Sequence, residues 1–232
     1  MKKLVAPLLK GSVVEYPLVQ ALAGKIPIVD ALTEFWVETL RSRRETVLYA
    51  FLTDVASAIE EIRSTRPREL DVSHVASADF VETMANITEL AIREQDENKR
   101  QYLRRFVVNY SKMHRPDVNL RKVFFQFVVE FSGVHLLILD LVYSSQRALS
   151  DSDLVVLGEQ LDRAEAMSYG TIARTLDLDI DLVAVMATTL AARALLSIKM
   201  ASGGPDIESS RIVMLPLARR FMAFLSDDLK ED

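Results

Sequence analysis

The sequence predicts a mainly α-helical fold, a helical N-terminal region followed by a C-terminal domain that adds a short β-hairpin. Three observations predict it. Only 7 Gly and 7 Pro occur in 232 residues, whereas a many-stranded protein spends such residues on turns. Apolar residues recur at three- and four-residue spacing along much of the chain. Two short apolar runs near the end, "LLSIKM" and "RIVMLP", flank Gly203-Gly204-Pro205 and read as strands joined by a loop. Hydrophobic residues make up 50% and charged residues 26%, a composition that folds around a core.

Residues 1–29 read as an N-terminal arm. "MKKLVAPLLKGSVVEYPLVQALAGKIPIVDAL" opens basic and apolar, but Lys10 and Glu15 interrupt the run that a signal peptide or a spanning helix needs. The expected role is a Pro-kinked arm packed on the rest of the protein. A segment lying on a membrane surface is the alternative.

A helical domain is expected over 30–131. Asp30 suits an N-cap, and Leu32, Phe35, Trp36, Leu40, Val47, Leu48, Phe51, Leu52, Val55, Ile59 and Ile62 keep helical spacing until Pro67 ends it. Ser77 suits the cap of a second helix to about Arg93, with Phe80, Val81, Met84, Ile87 and Leu90 inward. Asp96 suits the cap of a third. There Tyr102, Leu103, Phe106, Val107, Tyr110 and Met113 share an arc of roughly 140° at 100° per residue. Arg100, Arg104, Arg105 and Lys112 lie opposite, with Val108 exposed among them, and Lys99 sits in the first turn. "HRPDV" breaks this helix and Asp117 or Asn119 starts a fourth, about 119 to 131, apolar nearly all round and expected to be buried.

The stretch around the third helix carries the strongest charge signal. Lys99, Arg100, Arg104, Arg105, Lys112, Arg115, Arg121 and Lys122 stand against Asp117 alone, a local +7 in a chain of formal charge -5. These eight are the candidate anion- or partner-binding residues, since phosphate attraction needs only clustered cations. A solvated helix face and a docking face for an acidic protein surface are the other readings.

A C-terminal domain is expected over 132–232. After Ser132-Gly133, "VHLLILDLVYSSQ" is an apolar helix, and the acidic "SDSDLVVLGEQLDRAEAM" reads as a helix with a serine cap. A short helix around Thr171 to Leu176 precedes a longer one capped by Asp179, and Leu217 to Leu225 closes the chain. In "GTIARTLDLDIDLVAVMATTLAARALLSIKM" and "RIVMLPLARRFMAFL" this order resembles a winged-helix domain, over about 133–232 with the acidic helix as an insertion. The resemblance implies a helix-turn-helix pair, a β-hairpin wing and a DNA-binding role. More loosely, "LAIREQDENKRQYLRRFVVN" resembles segments of uncharacterised bacterial or phage-borne helical proteins, a likeness that implies no function.

The residues at the matching recognition helix argue against base reading. Ile180 to Ala194 offers Asp181, Thr188, Thr189 and Arg193, and Asp177 and Asp179 precede it, whereas base edges are read by Arg, Lys, Asn or Gln. From Asp151 to Arg193 there are eight acids against Arg163, Arg174 and Arg193, a local -5. The apolar excess, Val183, Val185, Met186 and Leu190, suits a buried or partner-facing helix.

Catalytic machinery is sparse. Cys is absent, which removes disulfides, thiol nucleophiles and Cys-based zinc sites and fits a reducing cytoplasm. His74 in a loop-like segment, His114 at a helix end and His135 in an apolar helix have no second His at metal-binding spacing. No P-loop, GxGxxG or GxSxG occurs, so neither a cofactor nor a metal is expected. The expectation is a non-enzymatic cytoplasmic interaction or regulatory protein, bacterial or phage-derived. Its expected partners are another protein or a second copy of itself, met through an apolar helix face. A DNA-binding transcriptional regulator using the basic face, and a peripheral membrane effector using the arm, are the alternatives.

Overall fold

The computed structural model describes residues 45–152, 166–200 and 207–226. The expected arm, the first helix ahead of Glu45, most of the acidic insertion and the Gly203-Gly204-Pro205 loop lie outside them. Among the described residues the chain is mainly helical with one small antiparallel sheet, as the sequence predicts. It divides into two compact units, Met1–Arg121 and Lys122–Asp232, and the division falls inside the helix Val118–Glu130, ahead of the 131/132 position expected from sequence.

The first unit contains α1 (Glu45–Thr65), α2 (Val72–Val75), α3 (Ala78–Arg93) and α4 (Glu97–Tyr110). Long helices form here because capping side chains satisfy amides that have no partner within the helix. Asp71 accepts from the His74 amide at 3.0 Å, Ser77 from Phe80 at 3.2 Å and Asp96 from Asn98 at 2.9 Å. Each such cap contributes about 1 kcal/mol. α1, α3 and α4 pack against one another through Val55, Ile59, Ile87, Leu103 and Phe106, all fully buried.

α4 stops at Tyr110, and this corrects the helical arc drawn from sequence. Beyond that point the chain turns back onto the segment after α1: Leu70 bridges Lys112, Asp71 donates its amide to Ser111 O at 3.0 Å, and the Met113 amide donates to Glu69 O at 2.6 Å. Met113 is therefore exposed (53%) instead of joining the seam, while Val108, expected outside, is buried (7%).

The second unit takes α5 (Val118–Glu130) from Lys122 onward, then α6 (Gly133–Ser152), β1 (Met167–Ser168), α7 (Tyr169–Leu176) and α8 (Ile180–Ala192). β2 (Leu196–Lys199), β3 (Arg211–Met214) and α9 (Pro216–Leu225) complete it. The hairpin forms where the sequence places it, with Leu196 opposite Met214 and Lys199 opposite Arg211. β1 is an addition: two residues, too short to show a period, pair with β3 and make the order β1-β3-β2. Phe124 meets Phe221 and Phe224 of α9 at centroid separations of 5.3 and 5.6 Å, Phe127 meets Phe221 at 5.4 Å, and Phe131 stacks on Phe127 at 5.4 Å. α5 is nevertheless not buried all round, since Val118 and Val129 are exposed. Its aromatic residues cover one side of the helix and satisfy the core from there.

Candidate functional site

The eight basic residues do not form one open face. Lys99 is buried (5%), and the helical wheel explains why: it lies three and four positions ahead of Tyr102 and Leu103, inside the apolar arc. Burial lowers its pKa to about 8, with Glu94 and Asp96 holding it up. Lys112 is buried (4%) because the chain past Tyr110 folds back on Leu70.

Three arginines are taken up by the protein's own acids. Arg100 donates to Glu97 Oε2 through Nε at 3.1 Å and to Glu94 O through Nη1 at 2.9 Å. Arg115 Nη1 reaches Asp71 Oδ2 at 2.7 Å, and Arg121 Nη1 stands 3.8 Å from Asp79 Oδ2. Arg105 lies over the ring of Tyr102 at 5.4 Å. That leaves Arg104, half-buried with no ion pair among the described residues, and the exposed Lys122. Arg104, Arg100 and Gln101 form one wall of a groove of about 380 Å³, and Ala50, Phe51 and Asp54 of α1 form the other.

Arg115 and Arg121 belong to a polar and aromatic cluster at one end of the first unit. Its centre is Tyr110, whose hydroxyl donates to Asp79 Oδ2 at 2.5 Å and whose ring lies 5.0 Å beneath the Arg121 guanidinium. His74 meets this ring edge-on at 4.8 Å, with Phe80 at 5.7 Å, and its Nδ1 is 3.3 Å from the Ser77 hydroxyl. The sequence predicts a loop-like segment at His74; Asp71 instead caps a single helical turn that carries it inward. Burial, reinforced by the positive charges of Arg115 and Arg121, lowers the His74 pKa to about 4. Burial acts to raise the Asp71 pKa, but the His74 amide and Arg115 outweigh it and hold the carboxyl below its ordinary value. Burial, followed by the bond to Asp79, raises Tyr110. The cluster locks α2, α3 and α4 together and turns two of the candidate cations inward.

In the second unit the outward face of α8 stands apart. Val183, Ala187 and Leu190 are fully buried, while Asp181, Leu182, Val185, Thr188, Thr189 and Ala192 are exposed. Val185, at the middle of that stripe, is 59% exposed. The threonine hydroxyls are already used: Thr188 donates to Ala184 O at 2.8 Å and Thr189 to Val185 O at 3.1 Å. At the C-terminal end Arg193 donates to Glu130 Oε1 through Nε at 2.9 Å and through Nη2.

No family model, curated protein or solved structure matches this chain.

Among the described residues no three His, Asp or Glu gather in a way that could hold a metal ion, and no helix is long and apolar enough to cross a membrane. His135, expected in an apolar helix, is half-buried at the start of α6, where its Nδ1 lies 2.7 Å from the Ser132 hydroxyl. The α8 face was partly legible in sequence as an apolar excess. Which of its apolar residues point outward was not.

Proposed function

We propose that this chain is a non-enzymatic interaction protein of regulatory type, acting by protein contacts and self-association through α8 of a winged-helix-like C-terminal unit. The element order α6, β1, α7, α8, β2, β3, α9 with sheet order β1-β3-β2 supports the winged-helix-like reading. One observation carries the functional reading: the outward face of α8 presents Leu182, Val185 and two threonines whose hydroxyls are internally bonded. Between Leu182 and Ala192 such a surface gains by leaving water and offers a nucleic acid neither cations nor free donors. Asp177, Asp179 and Asp181 at its start repel phosphate.

Polyanion binding by the basic segment is the weaker reading. It would rest on Arg104 and Lys122, since the other six cations are buried, acid-paired or laid on an aromatic ring.

Light scattering tests the proposal. The full chain is expected to associate with rising concentration. Val185→Glu, which puts a charge at the centre of the exposed stripe, is expected to leave a monomer with unchanged far-UV circular dichroism. A wild-type chain that stays monomeric at every concentration overturns the reading.

A further inference from the structure

We infer that α8 pairs with α8 of a second copy in antiparallel orientation, about a two-fold axis that crosses the helix near Ala187. This rests on the self-association proposed above and adds the geometry of the contact. A two-fold contact uses the same patch on both copies, so the patch must be complementary to itself. The stripe meets that condition in antiparallel register. Leu182 then faces Ala192 of the other copy, Val185 faces Thr189, and Asp181 faces Arg193.

Charge selects the orientation. Asp181 opens α8, with Asp177 and Asp179 just before it, and Arg193 caps the other end with its side chain 52% exposed. A parallel pair sets Asp181 against Asp181 and brings six carboxylates to one end. An antiparallel pair separates the two acidic ends by the twelve residues from Asp181 to Arg193, about 18 Å at 1.5 Å per residue. That exceeds the screening length of about 8 Å at physiological salt, so repulsion between the ends is small. Arg193 still has donors to offer, because Nε and Nη2 converge on a single oxygen of Glu130. The second copy's Asp181 would meet an arginine already oriented by that bond.

Steric and polar terms agree with close approach. Ala192, Thr188 and Thr189 are small, and interhelical distances of about 8 to 10 Å require small residues or interdigitation at the contact. Covering the threonines strands no donor, because each already bonds a backbone carbonyl.

The chain has no cysteine, so introduced thiols report without background. Leu182→Cys and Ala192→Cys variants, carried on chains of two lengths, are mixed and oxidised, with Ser57→Cys on α1 as the collisional control. The expected product is the mixed 182–192 disulfide, formed well above the control, with little 182–182 product. A dominant 182–182 disulfide means a parallel pair. No disulfide above the control means another surface. Either overturns this geometry while the self-association reading survives if light scattering of the unmodified chain still shows a dimer. A monomer in that measurement removes both.

Discussion

His74 is a neutral residue among four charges. Arg115 and Arg121 oppose its protonation together with burial, and Asp79 and Asp71 favour it without prevailing, so its pKa falls to about 4 from an ordinary 6.5. Between those values the unfolded chain binds a proton that the folded chain refuses. Stability from this group is therefore complete above about pH 6.5 and declines as pH falls toward 4, by up to about 3 kcal/mol. Urea denaturation from pH 7 to pH 4 should show that decline in the wild type and a much flatter profile in His74→Phe. Equal slopes would mean that His74 is not the group responsible. The lowered pKa was not legible in "LDVSHVASAD", which shows only Asp71 and Asp79, because the two arginines that oppose protonation lie up to 47 positions away and only the fold assembles them. Lys99 is the opposite case: its position three and four residues ahead of Tyr102 and Leu103 is itself enough to set it on the apolar side of the helix.

At the scale of elements, helix starts and most helix ends were legible, and the end of α4 was not. Ser77, Asp96 and Asp179 cap the helices that the sequence assigned to them, because a cap is a local bond between a side chain and amides two or three residues on. The end of α4 depends on a bridge between Leu70 and Lys112, which no local pattern announces. The end of α8 is unusual in a different way. Leu195 donates its amide to Leu190 O at 3.0 Å and Ala194 to Ala191 O at 2.9 Å, a closing pattern that needs a left-handed residue. That residue is Ala194, with φ 55°, where glycine would carry no steric cost. Ala194→Gly is expected to raise stability by about 0.5 to 1 kcal/mol, read as a higher urea midpoint with an unchanged m-value. A lower midpoint would show that this strain is absent. The hairpin that follows was legible from its apolar runs, and β1 was not, since two residues acquire strand character only from the neighbour they join.

For the whole molecule, the apolar layout of the sequence gives the helical class, though not the exposure of Met113 or Val129. The clustered cations between Lys99 and Lys122 read as a solvated face, a docking face or an anion site, and in the fold Glu97, Asp71 and Asp79 take up three of them within the first unit. Apolar patterning gave both the helical class and the aromatic helix that founds the second unit. That unit has a core of its own: Phe124, Phe131, Leu136, Ile172, Val183, Leu190, Ile212, Phe221 and Phe224 are all essentially inaccessible to solvent. Phe124, Phe127 and Phe131, which seed it, lie beyond the division at Arg121, while Arg121 itself turns to Asp79 and Tyr110 of the first unit. A fragment of residues 117–232 keeps this core and also keeps Asp117, whose carboxylate accepts the Asn119 and Leu120 amides at 2.9 and 3.1 Å at the start of α5. It is expected to fold alone, with a helical circular dichroism spectrum and a single cooperative thermal transition. A fragment from residue 132, lacking the buried Phe124, Phe127 and Phe131, is expected to lose that cooperativity, because each large aromatic removed from a packed core costs about 3 to 5 kcal/mol against a total stability of about 5 to 15 kcal/mol. Cooperative melting of the shorter fragment, or its absence in the longer one, would show that α5 does not belong to the second unit's core.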